Sequence, residues 1–201
     1  MAVRFAEDTR ALATAKGRPV EKPIAWLVGS PADFDEYGSD VSDYAKALAD
    51  AFWPGVVTLV VGASSNVPET FRTKRGTIGL RMPSHEGVCS LIDRIGSPIA
   101  ATSANLAGAD SIPSSEHLDN GFVQASGIPM LDFAAWQGED ALASAVLAEA
   151  AAPDSVRKAQ GKESACASAV IDCTGSAPKL LRAGTISASD IESACGLPVC
   201  A

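Results

Sequence analysis

Lys16, Arg18 and Lys22 lie close together in the segment KGRPVEKP, with Gly17 and Pro19 between them. The glycine and proline fix the backbone so that three cations can converge without a helix to separate them, which suits a triphosphate. A solvated basic turn offset by Glu21 is the alternative. Arg81 ends an apolar run just before Met82 and Pro83, so its guanidinium projects from a strand terminus, where it can clamp a carboxylate or a phosphate. A structural ion pair is the competing role. Thr77, on the same strand face by the two-residue period, adds a hydroxyl. Ser103, Ala104 and Asn105 follow another apolar run and precede Gly108, a turn whose hydroxyl, amide and N–H groups can face one ligand or simply form the turn. Near the C-terminus, Ser168 at the start of a strand and Arg182 with Gly184 repeat the design.

Other chemistries have little support. There is no Gly-x-Ser-x-Gly elbow, and neither His85 nor His117 has an acid partner at a triad spacing. Walker and Gly-x-Gly-x-x-Gly loops are absent. The cysteines, Cys89, Cys166, Cys173, Cys195 and Cys200, include no Cys-x-x-Cys and form no zinc pattern with the two histidines, so they read as reduced thiols. Trp53 reads as a packing residue at a helix end and Asp172 as a capping or structural acid. A net charge of −8 disfavours broad binding to a polyanion or an anionic membrane. The charge is uneven, however. Acids crowd Pro31 to Asp50, opposed by Lys46 alone, while Phe71 to Arg81 carries Arg72, Lys74, Arg75 and Arg81 with no acid. That contrast fits a small anionic ligand held in a locally basic cleft.

These groups must be held by a core that a chain of 201 residues can form as one domain. No apolar run reaches membrane-spanning length, and the N-terminus has acids where a secretory signal would be basic and then apolar, so a cytoplasmic protein is expected. The spacing predicts a helix over Glu7 to Ala15, a strand over Ile24 to Val28, and a helix over Asp40 to Phe52 capped by Ser39 or Asp40. Strands follow over Val56 to Gly62 and Thr77 to Met82, then a Ser84-capped helix to Ile95 closed by Gly96, and a strand over Pro98 to Thr102. Helices are expected over Ser115 to Asn120 and Gly138 to Ala151, with a mobile connection over 152–167. Strands over Ser168 to Cys173 and Lys179 to Arg182 and a helix from Ser187 or Ser189 to Cys195 complete the pattern. Interleaved strands and helices imply an α/β class, and the short turn between the last two strands implies an antiparallel pair.

Taken in order, KGRPVEKP, FWPG with Thr58 after it, GTIGLRMP, ATSANLAG, and the SAVID and PKLLRAGTIS tail resemble the YrdC/Sua5/YciO family over about 16–191. The resemblance implies a single YrdC-like α/β domain over 1–201, with a twisted mixed sheet of parallel and antiparallel strands flanked by helices around a basic cleft. The family includes threonylcarbamoyl-adenylate synthases. These combine L-threonine, bicarbonate and ATP, release pyrophosphate, and supply the threonylcarbamoyl group for an adenosine beside the anticodon of certain tRNAs.

Carried over by motif, Lys16, Arg18, Lys22, Thr77, Ser103, Asn105 and Arg182 would meet ATP, and Arg81 and Ser168 would hold L-threonine or its carbamate. Mg²⁺ would accompany ATP, and catalysis would come from positioning, with no residue assigned as nucleophile or base and no protein metal site. A tRNA or other structured RNA and tRNA-modification proteins are the implied partners. Three departures stand out: no P-T-D-T-x-Y-G-L-like segment, and no strand leading into one, is recognisable before Lys16, the usual Ser-Thr-Val is Ser168, Ala169, Val170, and the segment from Gly121 to Ala167 does not match the family in detail. They keep open a non-catalytic family member, a translation factor that binds a nucleotide or RNA. A carbamoyl-transfer module like that of hydrogenase maturation proteins is a third reading, without the acylphosphatase and zinc-finger regions that accompany it there.

Overall fold

Apolar residues alternate with small or polar ones along several short segments, and pairing such segments side by side gathers the apolar set on one face. The computed structural model of the chain shows this arrangement and describes residues 2–4, 12–14, 17, 23–102 and 168–200. Among these residues eight strands form one sheet: β1 (Ala2–Arg4), β2 (Ala25–Leu27), β3 (Gly38–Ser39), β4 (Val57–Ala63), β5 (Thr77–Arg81), β6 (Ile99–Ala101), β7 (Ala169–Asp172) and β8 (Lys179–Arg182). Their spatial order is β1-β6-β2-β5-β4-β7-β8, with β3 paired to β4. The pairs β2/β5 and β4/β7 are parallel and the others antiparallel, so the sheet is mixed, as the short connections require.

The core face carries Trp26, Val57, Leu59, Val61, Ile78, Leu80, Ala169 and Ile171, all buried. Helices α1 (Ala32–Tyr37), α2 (Asp43–Phe52), α3 (Glu86–Ile95) and α4 (Ala188–Cys195) flank the sheet. From α2, Tyr44, Ala45, Leu48 and Ala49 join the core cluster; from α4, Ile191 does. Trp26 meets Tyr37 and Phe71 edge to face, each at 5.4 Å between ring centroids, and Phe34 meets Trp53 in the same way at 5.0 Å.

Several boundaries move from the sequence expectation, each for a local reason. Helix α2 begins three residues later than expected, because Ser42 is its cap and accepts a hydrogen bond from the Ala45 N–H; Asp40 instead takes a positive φ of 52° in the approach. Helix α3 begins at Glu86 with His85 at the cap position and no side-chain cap, so Ser84 is not its cap; Gly96 closes it in the left-handed conformation as expected. Helix α1 is an unforeseen element in the acidic stretch, where the Asp33 carboxylate accepts from the N–H groups of Gly29 and Ser30 and folds the chain into its first turn. Strand β1 precedes Lys16, where the sequence pattern places none, and runs antiparallel to β6. Of the helix expected over Glu7 to Ala15, residues 12–14 are helical. The helices expected over Ser115 to Asn120 and Gly138 to Ala151, and the connection over 152–167, lie outside the described residues.

Candidate functional site

The opposite face of the sheet carries Ala25, Gly79, Thr58 and Arg81 beside the branched Val60 and Val170. Register places Ala25 beside Gly79 and Gly79 beside Val60, and a Cβ added at Gly79 would lie 3.3 Å from the Thr58 methyl, 3.9 Å from Ala25 Cβ and 3.9 Å from a Val60 methyl. Thr58, Gly79 and Arg81 therefore share this face. In the parallel β4/β7 pair Thr58 aligns with Val170, and in the antiparallel β7/β8 pair Val170 aligns with Arg182. Ser168 precedes β7 by one residue and falls on the same side. Polar groups from β5, β4, β7 and β8 thus form one transverse row.

Direct contacts hold that row. Ser168 Oγ lies 3.0 Å from Thr58 Oγ1, with the two residues only 7% and 5% exposed. Arg182 donates from Nε to the Ser168 carbonyl and from an Nη to the Ser168 hydroxyl, at 2.9 Å in each case. Arg81 donates from Nε to the Gly55 carbonyl at 2.7 Å, while the Gly55 N–H donates to the Met82 carbonyl at 2.8 Å. The FWPG turn, with its cis Trp53–Pro54 peptide, therefore aims the Arg81 guanidinium. Trp53 is buried and donates its indole N–H to the Val57 carbonyl, which is the packing role its sequence context implies.

A β-bulge places Arg182 on this face. Leu180 aligns with Ile171 and Arg182 with Val170, leaving Leu181 as an extra, exposed residue between them. Simple alternation from Leu180, on the core side with Ile171, would point Leu181 to the site and Arg182 away from it. The extra residue reverses that parity.

Thr77 shares the face but stands at the far end of β5, about 13 Å from Arg81 at strand spacing. Its hydroxyl is paired with that of Thr73 at 2.6 Å, and Thr73 also receives the Thr77 backbone N–H. Thr58, Gly55 and Thr73 support three of the sequence-identified residues through contacts that spacing does not disclose. Ser103, Asn105, Lys16, Arg18 and Lys22 lie outside the described residues.

Part of the basic stretch around residues 72–75 is structural. Arg72 donates to the carbonyls of Val67 and Ser65, and Arg75 pairs with Asp172 at 3.7 Å. Asp172 also accepts from the N–H and hydroxyl of Thr174, the structural use expected of it. Among the described residues no group of three or more His, Cys, Asp or Glu side chains could hold a metal ion, and no helix is long and apolar enough to cross a membrane. The site can thus offer cationic and hydroxyl donors to an anion, held on a rigid sheet.

Comparison with known proteins agrees with this architecture. The Sua5/YciO/YrdC family model, described as telomere recombination, matches residues 4–159. A Mycobacterium tuberculosis protein named "Putative threonylcarbamoyl-AMP synthase" is 30% identical over 187 residues, covering 93% of this chain and 73% of that protein. The threonylcarbamoyl-AMP synthase of Pyrococcus abyssi is 37% identical over 108 residues, which are 54% of this chain and only 32% of that longer protein. Among solved structures, P. abyssi Sua5 complexed with L-threonine matches with a TM-score of 0.68 at 28% identity, over 94% of this chain and 48% of that one. Escherichia coli YciO, at 16% identity, shares the fold with a TM-score of 0.63 over 94% of this chain and 80% of its own. By sequence match and by the architecture of its mixed sheet, the chain belongs to the Sua5/YciO/YrdC family.

Proposed function

We propose that the chain acts as an L-threonylcarbamoyladenylate synthase. The observation that carries this reading is the joined Thr58, Ser168 and Arg182 group. It connects a residue expected at the amino acid (Ser168) directly to one expected at the nucleotide (Arg182). A reaction between an amino-acid carbamate and an α-phosphate needs such a junction, because the two reacting groups must be held in near-attack contact. The names of the relatives support the same chemistry.

The step balances without a protein nucleophile. The threonine amine and bicarbonate give a carbamate with loss of water. A carbamate oxygen then attacks the α-phosphorus of ATP, and the bond to the bridging oxygen breaks, with its electron pair leaving on pyrophosphate. Arg81 would grip the threonine carboxylate or carbamate together with Ser168. Arg182, with Lys16, Arg18 and Lys22, would offset phosphate charge, and Thr77, Ser103 and Asn105 would contact the rest of the nucleotide. Mg²⁺ would enter bound to the ATP phosphates. The product would serve modification of tRNA in the cytoplasm, which makes a tRNA and its modification proteins the expected partners.

The test is pyrophosphate release from ATP, Mg²⁺, bicarbonate and L-threonine, compared with a no-threonine control. Threonine-dependent release that falls at least about tenfold in Arg182→Ala is the expected result. ATP binding without any threonine-dependent release would reject the synthase and leave the non-catalytic nucleotide- or RNA-binding family member.

A further inference from the structure

We infer that Thr58 is a positioning residue that turns the Ser168 hydroxyl into an obligate donor toward an anionic oxygen of the substrate, an inference that rests on the synthase reading. Two hydroxyls carry two protons between them, and their mutual hydrogen bond uses one. One O–H therefore remains. Among the described residues neither hydroxyl has a further acceptor, although the pair is almost wholly buried, and a buried O–H left without an acceptor is costly.

The environment decides which hydroxyl keeps that proton for the ligand. Arg182 already donates an Nη–H to Ser168 Oγ and so occupies one of its lone pairs. When Thr58 donates into the other, Ser168 has no acceptor capacity left and presents only its own O–H. Thr58 lies inside the sheet, on a strand paired on both sides, whereas Ser168 stands one residue before β7, outside the ladder. An O–H donor beside a guanidinium suits a carboxylate or carbamate oxygen and disfavours a cation or another donor.

Gly79 sets the rotamer of Thr58. Its missing side chain leaves just enough space for the Thr58 methyl, since an added Cβ would come within 3.3 Å of that methyl, a tight contact. With the methyl seated over Gly79, the hydroxyl of Thr58 points to Ser168. This also gives a second way to disturb the pair, because Gly79→Ala displaces Thr58 without removing either hydroxyl.

The experiment measures the affinity of the full chain for L-threonine and, separately, for ATP with Mg²⁺, in wild type, Thr58→Val, Thr58→Ser and Gly79→Ala. Thr58→Val keeps the branched shape and the methyl on Gly79 but deletes the donor. It is expected to weaken L-threonine about tenfold, the scale of a hydrogen bond to a charged group, and to leave ATP affinity within about threefold. Thr58→Ser should recover most of the loss, and Gly79→Ala should reproduce part of it. Unchanged L-threonine affinity in Thr58→Val, failure of Thr58→Ser to recover it, or equal losses for L-threonine and ATP would each overturn the role of Thr58. A wild-type chain that binds ATP but no L-threonine would instead overturn the synthase reading and this inference with it.

Discussion

Arg182 donates two of its N–H groups to one residue, and this anchors an otherwise exposed guanidinium beside Ser168. Lysine cannot reproduce that fork, since its ammonium is a single point of charge on a flexible stem. Arg182→Lys is therefore expected to lower threonine-dependent pyrophosphate release about as far as Arg182→Ala does, and activity near the wild-type level would show that charge alone suffices. Cys173 marks the opposite kind of site. Burial, with smaller contributions from Asp172 and Cys195, pushes its thiol up to about 12, so almost no thiolate exists at neutral pH. Among the described cysteines, alkylation read by mass spectrometry should label the exposed Cys200 first and reach Cys173 only in denaturant. Labelling of both at one rate under native conditions would contradict its burial.

Among the elements, β8 and the FWPG turn carry the most consequence for the site. Deleting Leu181 removes an exposed residue and abolishes the bulge, and plain alternation from Leu180 then keeps Arg182 opposite Val170 on the face of Ser168. The deletion should leave a folded protein, by circular dichroism, that keeps threonine-dependent activity, and a loss to the extent of Arg182→Ala would show that the bulge itself is needed to aim the guanidinium. At Gly55 an added Cβ would stand 2.5 Å from the Phe52 carbonyl, so Gly55→Ala must move backbone that anchors Arg81. A stability loss of about 1–3 kcal/mol in urea unfolding is expected, accompanied by weaker L-threonine binding. Ser42→Ala, remote from the site, should cost about 1 kcal/mol through the lost cap of α2 and leave activity intact. The main strands and α4 follow from alternation, helical spacing and Gly or Ser punctuation that the sequence displays openly. Helix α1 escaped because six residues hold too little periodicity to stand out from an acidic stretch, and its start depends on Asp33 reaching back to two N–H groups.

At the scale of the whole molecule, the described sheet carries the aromatic core on one face and the polar row, with Val60 and Val170 among it, on the other. One peripheral carboxylate ties stability to pH. Asp190 completes a capping box at α4, and hydrogen bonds from the Ser187 hydroxyl and backbone N–H hold its carboxyl below the usual value. A lowered folded value means that folding favours the ionised form. Its contribution is complete above the unfolded value and disappears as pH falls through the folded one. Ser187→Ala should accordingly narrow the gap in melting temperature between about pH 6 and about pH 3. An unchanged gap would show that this cap contributes nothing to acid sensitivity.

The sequence by itself determined the residue types and their order: a mixed α/β sheet, a core of alternating apolar residues, and Arg81, Ser168 and Arg182 at strand ends. These features are legible because they depend on local period and punctuation. Only the tertiary structure decided that Thr58 touches Ser168, that Gly55 holds Arg81, and that Arg182 faces the site at all. The first joins residues 110 positions apart and the second residues 26 apart. The third depends on one extra residue in β8 that reverses side-chain parity. Register is set by how strands pair across the sheet, and no single strand carries the information that fixes it.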